Sequence, residues 1–490
     1  MKFFSTRDHD RIVTASQAIA QGLSDEGGLF VPERFPQVDV RALCQLDYPT
    51  LAAAVVSEYL TDYSKDFLAE ATRTTYGEAF GGKAGYLAPV EGDIYALELW
   101  HGPTCAFKDY ALQLMPKLLV EAKKKLSRTE KTLILVATSG DTGKAALDGY
   151  HDIPGVEIAV FYPTGGTSEI QRLQMVTQEG SNVSVYAVLG NFDDAQTGVK
   201  RIFSDEAIRA QLLERGYFLS SANSINWGRV LPQVVYYVSV CCDLVRDGKL
   251  KEGEKVNLCV PTGNFGNILS AYYAKCMGAP IGRLICASNR NDVLTEFLRT
   301  GVYDRNRPFY TTMSPSMDIL ISSNLERLLY ALSDGNDAEV RSYMKQLNAE
   351  GRYQVSDTVL AKVRKLFWAG SCGEEDTMDT IRRYYTQRNY LMDTHTAVAA
   401  HVLEQYRAES GDGGPAVIVS TASPYKFCSP VLRAIGAVPA GDGVELIAQL
   451  QEATGVKAPW RLVELGGKAV RFTESTEKHA MEQVVLDYLN

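Results

Sequence analysis

The sequence predicts an α/β protein built on two open, mostly parallel sheets, with an N-terminal unit ahead of them and a helical insertion late in the chain. Three observations carry this reading. Short β-rich apolar runs recur, each ending in a Gly/Ser/Asp/Thr cluster and giving way to helix-like sequence. The runs are continuously apolar, as in strands buried on both faces of a parallel sheet. A length of 490 residues also exceeds one ordinary core, so two or three domains are expected.

Before Ala96 the chain has a different texture. Helical stretches around Ser16 to Gln21 and Tyr48 to Leu60 flank the turn-rich connector QGLSDEGGLFVPE, and residues 1–95 read as an N-terminal domain. Leu133 to Val136 then runs into ATSGDTG, Val156 to Phe161 into YPTGG, and Val183 to Leu189 into GNFDD; these fall in a small α/β domain, 131–215. Val230 to Val245 is the most apolar stretch, but with Pro232 and Gln233 inside it and too few residues to cross a bilayer it reads as a buried helix. Val256 to Val260 leads into PTGNFGN, Leu284 to Cys286 into ASNRND, and Val417 to Val419 into STASPYKF. With residues 96–130 these make a large domain, 96–130 and 216–490. A helical insertion enters it at about 324–390, where Leu325, Leu328, Leu329 and Leu332 share one face. Ligands of such sheets lie beyond the carboxyl ends of the strands, so the polar clusters are where chemistry is expected.

Composition narrows the function. A net charge of −9 argues against nucleic acid or anionic membrane as a partner, and an anionic substrate would need a locally basic pocket. Nine scattered cysteines with no CxxC read as reduced thiols, and the opening MKFFSTRDHD lacks the apolar core of a signal peptide, so a cytoplasmic protein is expected. Six histidines form no HExxH and no cysteine–histidine cluster, so no metal is expected. No GxSxG elbow and no solenoid repeat occurs.

Five clusters are candidates for the site. In HGPTCAFKDYALQ, a tight Gly–Pro entry precedes Lys108, which opens a helical segment ending near Leu119. A lysine is most often a solvated charge, but the apolar neighbours of this one favour a pocket that depresses its pKa and lets it attack an aldehyde. In PTGNFGN, Gly263 and Gly266 let the backbone curl so that N–H groups converge at the start of a helix, a place for phosphate or else a plain strand-to-helix turn. ATSGDTGK resembles a P-loop but has two residues, not four, between Gly140 and Gly143, and Ala145 where Ser or Thr must hold magnesium. A dinucleotide fingerprint fails as well. Ser221 to Arg229 is rich in donors and offers Arg229 to a phosphate, though polar turns before a helix commonly look alike. Thr421 presents a hydroxyl, or a cap, where the last strong strand emerges.

In order along the chain, QGLSDEGGLFVPE, HGPTCAFKD, ATSGDTG, FYPTGGTSEIQRLQM, GNFDDAQ, NSINWGR, PTGNFGN, DTHTAVA and TASPYKF resemble the threonine synthase family of fold type II pyridoxal-phosphate enzymes, over nearly the whole chain. The resemblance implies pyridoxal 5'-phosphate as cofactor, joined as a Schiff base to Lys108. It implies a phosphate cradle of Gly263, Asn264, Phe265, Gly266 and Asn267, and Thr421 facing the pyridine nitrogen. Ser139, Gly140, Asp141 and Thr142 match the loop around the substrate's amino-acid end, and Asn226 and Arg229 are assigned to the substrate phosphate. The implied reaction converts O-phospho-L-homoserine and water to L-threonine and phosphate, in a monomer or homodimer. Two positions depart from the common pattern: Asp141, where many fold relatives carry Asn, and Lys144, which either adds charge near the substrate or is a surface lysine. A dehydratase or other β-replacement enzyme shares the lysine and the cradle, but NSINWGR and GNFDDAQ favour threonine synthase. A non-catalytic binder would not need Lys108, Thr421 and the glycine turn together.

Overall fold

A computed structural model describes residues 1–489, apart from the side chain of residue 193. Its larger sheet has six strands in the order Phe367–Ser371, Ile281–Ser288, Val256–Pro261, Ala416–Ser420, Ile94–Glu98, Tyr86–Glu91. All neighbours pair in parallel except the final hairpin pair. The smaller sheet has five parallel strands, Ser475–Thr476, Val183–Val188, Val156–Pro163, Lys131–Ala137 and Tyr217–Ser221. The apolar runs of the sequence are these inner strands, buried along nearly their whole length. Two doubly buried sheets are thus present, as the fold class requires.

Helix Trp227–Arg246 is the buried helix expected from the most apolar stretch, and Asn226 caps it by accepting the Gly228 N–H at 2.9 Å. The N-terminal unit contains the expected helices as Ala15–Gln21 and Tyr48–Tyr59, together with a three-stranded antiparallel sheet of Phe3–Ser5, Asp8–Val13 and Phe30–Pro32. Phe3–Ser5 and Phe30–Pro32 are only three residues long and Asp8–Val13 is largely polar, so no period marks them.

Sheet membership divides the chain differently from the borders expected from sequence at three places. Tyr86–Glu91 lies before residue 96 yet joins the larger sheet. Tyr217–Ser221 lies after 215 yet joins the smaller one. Ser475–Thr476 and helix Met481–Tyr488, more than 250 residues further on, also close the smaller sheet, where Met481 and Val485 pack in one core with Leu133, Leu135 and Phe161. The stretch 324–390 is mainly helical, as Leu325–Leu332, Asp337–Glu350, Asp357–Leu366 and Glu374–Arg388, but it also supplies Phe367–Ser371 as an edge strand. Among the described residues no helix is long and apolar enough to cross a membrane.

Helix Phe192–Ser204 accepts the tail because residue 198 is glycine: a Cβ there would lie 2.1 Å from the Met481 sulfur. Met481 has no solvent exposure. Met481→Ala should therefore destabilise the smaller sheet's unit by about 2–4 kcal/mol through lost burial and the cavity left behind, read as a lower urea midpoint of that transition.

Candidate active site

Lys108, the 138–142 turn, the glycine turn and Thr421 all follow the carboxyl ends of parallel strands, and one cavity of about 1270 Å³ gathers them. Its lining includes Lys108, Ser139, Thr142, Arg229, residues 261–267 and Thr421.

The loop carrying Lys108 is held from both sides. The Phe107 N–H donates to the Thr421 carbonyl at 2.8 Å, the Ser423 N–H donates to the Cys105 carbonyl at 3.1 Å, and Ala106 bridges to Ala422. Asp109 accepts the Thr104 N–H at 2.8 Å and the Thr104 hydroxyl at 2.6 Å, and Gly102 passes so close that a Cβ would lie 2.5 Å from Asp109 Oδ2. Burial pushes the Asp109 carboxyl up to about 7 against these hydrogen bonds. After Lys108 the chain forms the turn Asp109–Leu112 and then helix Met115–Lys125, six residues longer than the sequence suggested.

Lys108 is 11% exposed at its side chain, and its Nζ lies 3.8 Å from Asp141 Oδ2. Burial lowers its ammonium to about 8; Asp141 opposes the fall, while Arg229 and Lys426 add to it. Asp141 starts helix Asp141–Tyr150, and Gly140 reaches it with a φ of 141°, a conformation that favours glycine. Thr138 Oγ1 fixes this turn by accepting the N–H groups of Gly140 and Gly143, both at 2.9 Å. Burial alone would raise the Asp141 carboxyl, yet Lys426 and then Lys108 hold it well below the usual range.

In the glycine turn Phe265 adopts a left-handed φ of 64°, and Gly266 begins helix Gly266–Cys276. Residue 263 must be glycine, since a Cβ would lie 2.6 Å from the Ser316 carbonyl. Ser322 Oγ donates to the Gly263 carbonyl at 2.9 Å and the Asn324 N–H to the Asn264 carbonyl at 3.1 Å, which turns the remaining groups of the turn toward the cavity. Asn267 Oδ1 accepts the Tyr236 and Tyr237 hydroxyls at 2.6 and 2.7 Å.

Two expected residues sit elsewhere. Asn226 does not line the cavity: its oxygen caps helix Trp227–Arg246 and its amide donates to the Ile19 carbonyl at 2.9 Å, so its known contacts are structural. Lys144 is neither near the substrate site nor on the surface. It is buried and bonded to Asp148 and Gln178. Gly140 and Asp141 shape the site from behind its lining. Residues not singled out from sequence also take part: Lys426, Gln171, Ser316 and His395. His395 Nε2 accepts the Ser316 N–H at 3.2 Å, so its proton lies on Nδ1, 2.7 Å from Asp393 Oδ2. Lys426 and His395 lay inside TASPYKF and DTHTAVA, but nothing local marked them.

Residues 84–422 match the family model described as pyridoxal-phosphate dependent enzyme, residues 2–76 that of the threonine synthase N terminus, and residues 396–485 that of the threonine synthase C-terminal part. The chain is similar to threonine synthase of Pseudomonas aeruginosa, 37% identical over 90% of this chain and 92% of that one. The Saccharomyces cerevisiae enzyme is 36% identical over 88% of each. Threonine synthase-like 1 of Homo sapiens is 39% identical over 88% of this chain but 60% of that one, so the chain spans about three-fifths of its length. The structure of pyridoxal-phosphate-bound threonine synthase from Brucella melitensis superposes with a TM-score of 0.88 at 34% identity, covering both chains completely. Fold and matches together define a pyridoxal-phosphate-dependent enzyme of fold type II. Within that class, the chain belongs to the threonine synthase family.

The residues present fit the cofactor. Buried donors without partners converge on the cavity, namely Asn267 Nδ2, Ser316 Oγ and Arg229 Nε, as a bound phosphate or carboxylate requires. The start of helix Gly266–Cys276 adds its N-terminal dipole. Gly263→Ala should push Ser316 off the turn, at a cost of about 1–3 kcal/mol. An affinity for pyridoxal phosphate about tenfold weaker by equilibrium dialysis is the expected result.

Proposed function

We propose that this enzyme converts O-phospho-L-homoserine and water to L-threonine and phosphate. The observation that carries the reading is the convergence of a buried lysine, a glycine turn and Arg229 on one cavity, with the threonine synthase models matching on either side of it. Lys108 is the lysine we assign to the cofactor, and Gly263, Asn264, Phe265, Gly266 and Asn267 the cradle for its phosphate. Thr421 faces the pyridine nitrogen. A hydroxyl there does not hold that nitrogen protonated as a carboxylate would. Bound pyridoxal phosphate would supply the electron sink that acidifies the substrate's C–H bonds.

The chain's own groups account for the remaining work. Ser139, Gly140, Asp141 and Thr142 embrace the amino-acid end. Arg229, whose guanidinium stays charged at neutral pH although burial lowers its pKa to about 10, is held by the Ala222 carbonyl through Nη1 and leaves Nε for the leaving phosphate. Once displaced from the cofactor, the Lys108 amine is the base positioned to take a proton at Cα and then at Cβ. The Cγ–O bond breaks with its electrons going to phosphate, the hydroxyl of water adds at Cβ while its other proton goes to the phosphate, and protons return at Cα and Cγ. The atoms then balance as threonine and phosphate. Charge on the departing phosphate falls beside Arg229.

Nine cysteines, all free, support a cytoplasmic enzyme, and the net charge of −9 supports one that acts without nucleic acid or membrane; Arg229 supplies the basic group that a small anionic substrate needs, in a monomer or homodimer.

Incubation with O-phospho-L-homoserine should release threonine and phosphate in equal amounts; phosphate with a keto acid in place of threonine would instead identify an eliminating relative. Lys108→Ala should fold, purify colourless and turn over at least about a hundredfold more slowly. Near-wild-type turnover in that variant would defeat the lysine assignment.

A further inference from the structure

Lys426 has no part in the roles assigned above, yet its side chain has no solvent exposure. Its ammonium lies 2.7 Å from Asp141 Oδ1 and donates to the Thr104 carbonyl at 2.9 Å. The same Asp141 oxygen accepts Gln171 Nε2 at 2.8 Å, and the other oxygen faces Lys108 at 3.8 Å. Two cations therefore share one buried carboxylate.

That sharing decides which proton is held. A carboxylate facing Lys108 alone would form an ion pair with it and keep the amine protonated. With Lys426 at hydrogen-bond distance, the charge of Asp141 is already matched, and Lys426 also repels a Lys108 ammonium. The charged groups facing Lys108 are Asp109 from its own turn, Asp141 from helix Asp141–Tyr150, Arg229 from helix Trp227–Arg246, and Lys426 from the turn Pro424–Phe427. Arg229 is fixed by the Ala222 carbonyl and Asp109 by Thr104, so the pair Asp141 and Lys426 is the adjustable element.

We propose that Lys426 is a positioning residue that neutralises Asp141, so that the Lys108 amine loses its proton near neutral pH and is free to take up the cofactor. The inference rests on Lys108 being the cofactor lysine. Uptake joins the amine nitrogen to the aldehyde carbon and expels the aldehyde oxygen as water, with no oxidant or reductant involved. A Lys108 ammonium lowered to about 8 agrees with this arrangement.

The test is the pH dependence of Lys108 itself. The full-length chain freed of cofactor, with its fold checked by circular dichroism, is acylated with trace acetic anhydride across a pH series, and Lys108 modification is read by peptide mass spectrometry. The wild-type midpoint is expected near pH 8, the value burial gives Lys108. In Lys426→Met it should rise by about one pH unit or more, and uptake of pyridoxal phosphate at pH 7.5 should slow about tenfold. In Asp141→Asn/Lys426→Met, with both charges gone, it should return to within about half a unit of wild type. Asp141→Asn alone should lower it. A folded Lys426→Met with an unmoved midpoint would overturn the proposal, and so would a double variant displaced as far as the single one. If Lys426→Met does not fold, Asp141→Asn decides, since an unmoved midpoint there has the same force. Borohydride trapping of the pyridoxal phosphate complex separates the two readings. A label on another lysine would overturn the assignment of Lys108 and with it the purpose given to Lys426; a label on Lys108 with unmoved midpoints would overturn this inference alone.

Discussion

A carboxylate buried away from water keeps its charge only beside fixed cations, and Asp141 has two of them. The three charges come from separate parts of the fold. Asp141 begins a helix packed on the smaller sheet, whereas Lys108 and Lys426 follow adjacent strands of the larger one, Ile94–Glu98 and Ala416–Ser420. Gln171 and Gln174, on helix Glu169–Val176 of the smaller unit, extend the contact to Asp141 and to the Thr104 carbonyl, which Lys426 also reaches. The electrostatics of the site and the seating of one sheet against the other are therefore one set of interactions.

The glycine turn depends on a second buried charge. Arg327 is wholly enclosed, and its guanidinium donates to the Phe30 carbonyl at 3.0 Å, to Ser224 and Ile225 carbonyls at 3.3 and 2.6 Å, and to Asn324 Oδ1. A planar fork of donors suits such divergent acceptors, where a lysine would reach fewer. Asn324 in turn donates its N–H to Asn264. Through one arginine, the N-terminal unit, the loop before the longest helix and the glycine turn hold a common geometry. That coupling gives the N-terminal unit a structural reason to accompany the catalytic sheets.

The inner strands and the place of the site were legible because their signals are local. A continuous apolar run specifies a doubly buried strand, and a polar cluster after it specifies a ligand-facing turn. Lys108 stood out by its apolar neighbours, and Gly263 and Gly266 by their spacing. Asn226 was ambiguous for the same local reason: a donor-rich turn before a helix looks alike whether it caps the helix or binds a ligand, and the cap and the reach of its amide to Ile19 are seen only in the fold. Ser475–Thr476 pairs with a strand almost 300 residues earlier and is two residues long, so no period marks it. Lys426, between Tyr425 and Phe427, and Lys144, before Ala145 and Ala146, also have apolar neighbours, but the partners that hold them, Asp141 and Gln178, are distant in sequence.

Buried ion pairs seldom stabilise a fold better than well-packed apolar groups of the same volume would, because desolvation cancels much of the attraction. Retaining Asp141 and Lys426 is therefore hard to explain as stability. An asparagine at 141 would remove the need for Lys426 and leave Lys108 facing Arg229 with no opposing charge nearer than Asp109, whose own carboxyl burial pushes up to about 7. Lys108 would then lose its proton more readily but be a weaker base for carbon acids. An aspartate alone would make the opposite error and hold the amine charged. The aspartate with its lysine lies between these limits, and the balance is set by distance, 2.7 Å on one side against 3.8 Å on the other. The charge of the nearer cation offsets that of the carboxylate, and Lys108 feels their difference as a moderate pull on its proton.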